Sequence, residues 1–124
     1  MRDHKSLEAW QEAHRVVNAV FDFCDRYWRP QARAAFDQIQ RAALSVQLNV
    51  AEGYALCTAG RFRSHLEVAY GSAVETAELL ELLASRGLVP QDHVEGTLRS
   101  CLRSQRLLLG LIKRYREPPE NRER

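Results

Sequence analysis

Apolar residues recur along this chain at intervals of three and four, the spacing that lines one side of an α-helix. Leu7, Trp10, His14, Val17, Phe21, Cys24 and Trp28 make the first such seam, with Ser6 placed to cap its start. A second stripe of Ala9, Ala13, Val16, Val20, Phe23 and Tyr27 runs beside it. Together they cover about half the helix circumference, more than the ~100° that packing on one side requires. The first helix therefore either lies deep in its domain or touches another subunit. Trp28-Arg29-Pro30 ends it, because proline disfavours helix in the residue before it and is tolerated in a new first turn.

A second helix follows, with Phe36, Ile39, Ala43, Val46, Val50 and Gly53 on its seam and many alanines permitting close backbone approach. Leu44, Leu48, Ala51 and Ala55 lie on a different side, and a polar stripe of Ser45, Asn49 and Glu52 separates the two. Such a stripe marks a join between a bundle core and a second buried surface, read here as a subunit contact. After Leu56-Cys57-Thr58-Ala59-Gly60, with Thr58 or Gly60 available as a cap, a third helix carries Phe62, Leu66, Ala69, Ala73, Thr76, Leu80 and Leu83. Arg86-Gly87-Leu88 has the form of a left-handed helix stop, and Pro90 follows it. The fourth seam is Val94, Leu98, Cys101, Gln105, Leu108, Ile112 and Tyr115, widened by Leu102 and Leu109. The periodicity thus predicts helices over about 6–27, 31–56, 60–86 and 91–115, a charged and proline-bearing tail over 117–124, and an all-α antiparallel up-down four-helix bundle over 1–116 as one domain.

Composition adds restraint. The formal charge is +2, and since Lys5 and Lys113 are the only lysines among 18 Lys+Arg, arginine dominates. On the fourth helix Arg99, Arg103, Arg106, Lys113 and Arg114 fall within about 100° of arc, a basic stripe able to track a phosphate backbone. The bland reading is a solvated face with Glu95 and Arg99 paired one turn apart. No aromatic residue is interleaved with these cations, so base-specific readout of single strands is unsupported. Cys24, Cys57 and Cys101 stand apart in apolar surroundings, as reduced residues of a cytoplasmic protein do. The longest apolar run, Leu107 to Ile112, is far short of the ~20 residues of a membrane span.

Catalytic chemistry finds little purchase. There is no G-x-S-x-G, no glycine-rich phosphate loop and no Glu-x-x-His pair, and nothing cationic beside the cysteines argues for an activated thiolate. His14, set in an apolar seam, reads as a packed histidine and not as a ligand. The expectation is no enzyme, no metal and no cofactor.

Three stretches in order resemble the 23S rRNA intervening-sequence protein family of four-helix bundles. Ala42-Ala43-Leu44-Ser45-Val46 with Asn49-Val50-Ala51-Glu52-Gly53 is similar to that family's A-A-V-S-I-P-S-N-I-A-E-G. Leu7-Glu8-Ala9-Trp10-Gln11-Glu12-Ala13 resembles its L-x-x-W-Q-x-A, and Phe62, Leu66, Ala69, Gly71-Ser72 and Glu75 resemble its F-x-x-F-L-x-x-A-x-G-S-x-x-E. Gln47 replaces the family's proline and Leu48 its serine, which straightens the second helix and adds apolar area to its outer side. The resemblance implies an up-down bundle assembled as a ring-like homopentamer, without established enzymatic activity, and carries over Ser45, Asn49, Glu52, Gly53, Ser72 and Glu75 as motif residues, with Leu48 the departure among them. The expected role is a homo-oligomeric binding or scaffold module whose partner is itself and which engages no membrane. The alternative is an accessory protein that binds RNA or DNA through the basic stripe; a separate protein partner is compatible with either. For the motif residues a buried hydrogen-bond network, with Glu52 paired to an arginine, is the expected arrangement.

Overall fold

Asp3 accepts a hydrogen bond from the Lys5 backbone N–H and opens a short 3-10 turn, His4–Ser6. The first long helix, α1 (Glu8–Tyr27), starts after it, with Leu7 in the cap position and no side-chain hydrogen bond there. Ser6, expected as that cap, instead bonds the Asp3 carbonyl within the turn. The computed structural model describes residues 3–56 and 58–116, the last by its backbone alone. The 117–124 tail and Cys57 lie outside the described residues.

Pro30 opens a second 3-10 turn, Pro30–Ala32, from which α2 (Arg33–Ala55) runs on. Thr58 caps α3 (Ala59–Ser85) by accepting from the Arg61 N–H. At its far end Gly87 takes φ 67, the Gly87 N–H bonds the Ala84 carbonyl and the Leu88 N–H bonds the Leu83 carbonyl. That pattern satisfies two orphan carbonyls and turns the chain into α4 (Gln91–Arg116). Each helix packs on its neighbours in sequence, and α1 packs on α4, closing a square with α2 and α4 at diagonal corners. No strand occurs, and no helix is long and apolar enough to cross a membrane, among the described residues.

The core is built from Val20, Phe36, Ile39, Val50, Leu66, Leu80, Leu83, Val94 and Leu108, all essentially inaccessible. On α1 the expected seam is displaced. The second stripe supplies the core, through Ala9, Ala13, Val16, Val20 and Phe23, together with Val17 and Cys24. His14 is exposed, Phe21 is 40 % exposed and Trp28 is 44 % exposed. The cause is the closed square: α1 contacts both α2 and α4, so the side shared between those neighbours points inward. His14 is consequently no packed core histidine; it stacks on Trp10 at 4.8 Å between ring centres and bonds Asn18.

Candidate functional site

The family-like motif residues lie along the contact between α2 and α3. Asn49 Nδ2 donates to the Ser45 carbonyl at 2.8 Å and to Ser45 Oγ at 3.2 Å, and Ser72 Oγ donates to Ser45 Oγ at 2.7 Å. His65 Nδ1 lies 2.9 Å from Asn49 Oδ1, which accepts its proton. Thr76 continues the line by donating to the Ser72 carbonyl at 2.7 Å. Ser45, Asn49, His65 and Ser72 are half-buried and Thr76 is fully buried, and the donors converge on Ser45 Oγ, from imidazole through amide on one side and from the Ser72 hydroxyl on the other. Their polar atoms are spent on one another, so the network fixes the register of the two helices.

Gly53 explains how the helices come so close. A methyl group there would sit 2.7 Å from His65 Cβ and 3.0 Å from Phe62 Cδ1. His65 Cβ belongs to the stem of its side chain, so only movement of a whole helix could relieve the clash.

Two motif residues stand elsewhere than expected. Glu52 is exposed and faces His65, with Nδ1 at 4.0 Å, where an arginine partner was expected. Among the described residues no arginine comes within 4.0 Å of it, while His65 is one turn from Phe62 on the facing helix. Glu75 is likewise exposed and accepts from Gln38 Nε2 across the α2–α3 contact. His65 is absent from the sequence reading, although its position, three residues after Phe62 and seven before Ser72, sets it on the edge of the same side of α3.

All five residues of the basic stripe are exposed on α4, but they are not equivalent. Arg103 reaches back to α1, where its NH2 lies 3.0 Å from Glu8 Oε2 and its Nε 3.0 Å from Glu12 Oε2. Glu12 is 8 % exposed and also faces Arg15 at 3.6 Å. Arg103 is therefore a clamp that neutralises a nearly buried carboxylate, and it leaves the stripe. Glu12 was legible in principle, since it lies about 40° from Val16 on the helix wheel. Among the described residues no carboxylate comes within 4.0 Å of Arg99, Arg106, Lys113 or Arg114, so the expected Glu95–Arg99 pair does not form. Arg114 lies over the Tyr115 ring at 5.8 Å. Phe62 meets Tyr115 edge-on at 5.0 Å, which brings Arg61 and Arg63 at the start of α3 to the same end of the bundle as Lys113 and Arg114.

Neither described thiol is a nucleophile in waiting. Cys24 and Cys101 are free and buried, donating to the Phe36 carbonyl at 3.6 Å and the Ala73 carbonyl at 3.2 Å. Burial raises the Cys24 pKa and pushes Cys101 up to about 11. His65 bonds an amide and not a hydroxyl, so no serine is activated by it. Among the described residues no three His, Cys, Asp or Glu side chains are grouped to hold a metal, and no buried side-chain polar atom lacks a hydrogen-bond partner.

What the surface offers is apolar. Leu48 and Val68 are each 53 % exposed, and Phe21, Leu82, Leu102, Leu109 and Val74 are exposed to about two-fifths. Leu102 and Leu109, expected to widen the α4 core seam, are 40 % and 42 % exposed, and the seam widens on its other side instead, to Ser104 at 1 % exposed.

Among solved structures, the fold is similar to that of a protein with unknown function from the S23 ribosomal protein family of Bacteroides thetaiotaomicron VPI-5482, with a TM-score of 0.71 and 24 % identity over 86 % of this chain and 95 % of that one. No curated protein matches. The model of the 23S rRNA-intervening sequence protein family matches residues 5–110. With that match over most of its length, the chain belongs to the 23S rRNA-intervening sequence protein family.

Proposed function

We propose that this protein is a non-enzymatic, cytoplasmic, homo-oligomeric four-helix bundle that serves as a binding or scaffold module, with five copies as the assembly its family resemblance implies. One observation carries the reading: a helical domain whose core is complete still exposes Leu48, Val68, Leu102 and Leu109 by 40 % or more. Large apolar side chains exposed on the outer sides of helices, outside a closed core, are what an interface leaves on an isolated subunit. The polar seam supports it, since Ser45, Asn49 and Ser72 bond one another and hold α2 and α3 in register. Sedimentation velocity tests the proposal. The wild-type protein sediments as an oligomer and Leu48→Glu, altered at an exposed position, shifts it to smaller species; a monomeric wild-type protein contradicts the reading.

A second reading, an accessory protein for RNA or DNA, is favoured by the cations of α4. Among the described residues Arg99, Arg106, Lys113 and Arg114 have no carboxylate within 4.0 Å, and repetition of such a patch around an oligomer multiplies its avidity. Arg103, held by Glu8 and Glu12, contributes little to it. Titration of labelled RNA and DNA across a salt series gives binding that weakens steeply with salt and is lost in Lys113→Glu with Arg114→Glu. Absence of binding at low salt contradicts this reading and leaves the first intact.

A further inference from the structure

A groove of about 440 Å³ runs between the start of α1 and the C-terminal half of α4. Leu7, Leu107 and Leu111 give it an apolar floor, and Arg106 and Arg114 stand along its α4 wall. Between the two arginines comes Gly110, where a methyl group would meet nothing within 4 Å, so the wall is open at that point. Arg106, Gly110 and Arg114 follow one another at intervals of one turn, which sets the two arginines about 12 Å apart along the helix.

The charge left facing this groove is positive. The carboxylate on its α1 side, Glu8, lies 3.0 Å from Arg103, which also holds Glu12 at 3.0 Å. Asp3, in the turn before α1, is spent on the Lys5 backbone N–H. Among the described residues no carboxylate comes within 4.0 Å of Arg106 or Arg114. Arg99 and Lys113, which share the stripe by sequence, stand outside the groove.

Two cations in line with an apolar gap between them match a chain that carries its anions at intervals and weakly polar groups in between. The guanidinium fork suits phosphate oxygens, and a nucleic-acid strand alternates phosphate with sugar and base. A duplex is too wide for a cleft between helices whose axes lie about 8–10 Å apart, whereas one strand fits along it. We infer that the α1–α4 groove is a contact site for single-stranded nucleic acid. Arg106 and Arg114 each take a phosphate of one strand, and the sugars and bases between them lie over Gly110 on Leu107 and Leu111. The inference rests on the second reading proposed above and replaces a five-residue stripe with a groove of two cations. No aromatic ring lines the floor, so the contact is indifferent to base sequence.

Fluorescence anisotropy of a labelled oligouridine across a salt series tests this. Arg106→Gln with Arg114→Gln lowers the slope of log affinity against log salt by about 1.4, two phosphates at about 0.7 each for a single strand. Gly110→Glu sets a carboxylate one turn from each arginine and weakens binding at low salt as much as the double arginine variant does. Gly96→Glu makes the same change at an exposed glycine of α4 outside the groove and leaves binding at the wild-type value. Both glycine variants keep wild-type helicity by circular dichroism, since glycine is the poorer helix former; should Gly110→Glu lose it, the arginine variant alone decides. No greater loss in Gly110→Glu than in Gly96→Glu, or an unchanged slope in the arginine variant, overturns the groove and leaves the nucleic-acid reading standing. Poly-glutamate that displaces the label as well as unlabelled oligouridine does, at equal charge, assigns the groove to acidic protein segments and overturns the inference, as does an RNA duplex that competes on level terms. Wild-type protein that binds no RNA at low salt overturns both.

Discussion

Gly53 and Arg103 show how single residues set the limits of this bundle. The Gly53→Ala methyl has no room beside His65 Cβ at 2.7 Å, so the substitution pushes α2 and α3 apart and costs about 1–3 kcal/mol, as overpacking of a filled contact does. Urea unfolding measures it, and an unchanged midpoint contradicts the close-approach account. Arg103→Met leaves Glu12, which is 8 % exposed, with Arg15 at 3.6 Å as its remaining cation, and costs about 1–3 kcal/mol, below the range for a fully buried pair because the Arg103 side chain is half open and Arg15 stays. Glu12→Gln with Arg103→Met recovers part of that loss. Cys101 gives a pH signature. Its thiol pKa is raised from the usual 9.0 to about 11 in the folded protein, so the proton is held more tightly there than in the unfolded chain. Its contribution is fully present below pH 9 and is lost as pH rises through about 11, which lowers stability by up to about 3 kcal/mol in that window, and Cys101→Ala flattens the fall. Ser45, Asn49 and Glu52 were legible as a polar line from spacing alone, and Ser72 only through the family resemblance. Glu52's partner was not, because an i, i+4 pattern says which residues share a side of one helix and nothing about which residue of the facing helix lies opposite.

At the scale of the helices, spacing was most informative where chemistry marks an end. Gly87 at φ 67 and the Leu88 to Leu83 hydrogen bond form the stop that Arg86-Gly87-Leu88 announces, and Thr58 caps α3 as its position suggests. Gly87→Ala forces a side chain into the left-handed region and lowers the melting temperature through a cost of about 1 kcal/mol; an unchanged melting temperature contradicts the role given to this stop. Spacing failed on α1, where two adjacent stripes have the same period. Only the docking of α4 against the Ala9, Val16 and Phe23 side decides between them, and that depends on residues some ninety positions away, such as Arg103 reaching Glu8 at 3.0 Å. The same reason hid the outward turn of Leu102 and Leu109, since the α4 seam widens toward Ser104 on its other side.

For the whole molecule, an excess of apolar surface is the feature that the closed square leaves unexplained. The breadth of the apolar arc on α1 and the side occupied by Leu44 and Leu48 on α2 already pointed to a second buried surface, and Leu48 at 53 % exposed and Phe21 at 40 % exposed now locate what is left over. The family-like motif divides between two tasks: Ser45, Asn49, Gly53 and Ser72 lock α2 to α3, and Leu48 faces out beside them. That division lay beyond the sequence, since burial within one copy and burial between copies leave the same apolar periodicity. The direct test is the solution mass of this 124-residue chain by light scattering across a dilution series. The account predicts a discrete multiple of 14.3 kDa, five-fold for a pentamer, that persists on dilution; a mass of 14.3 kDa at every concentration contradicts it.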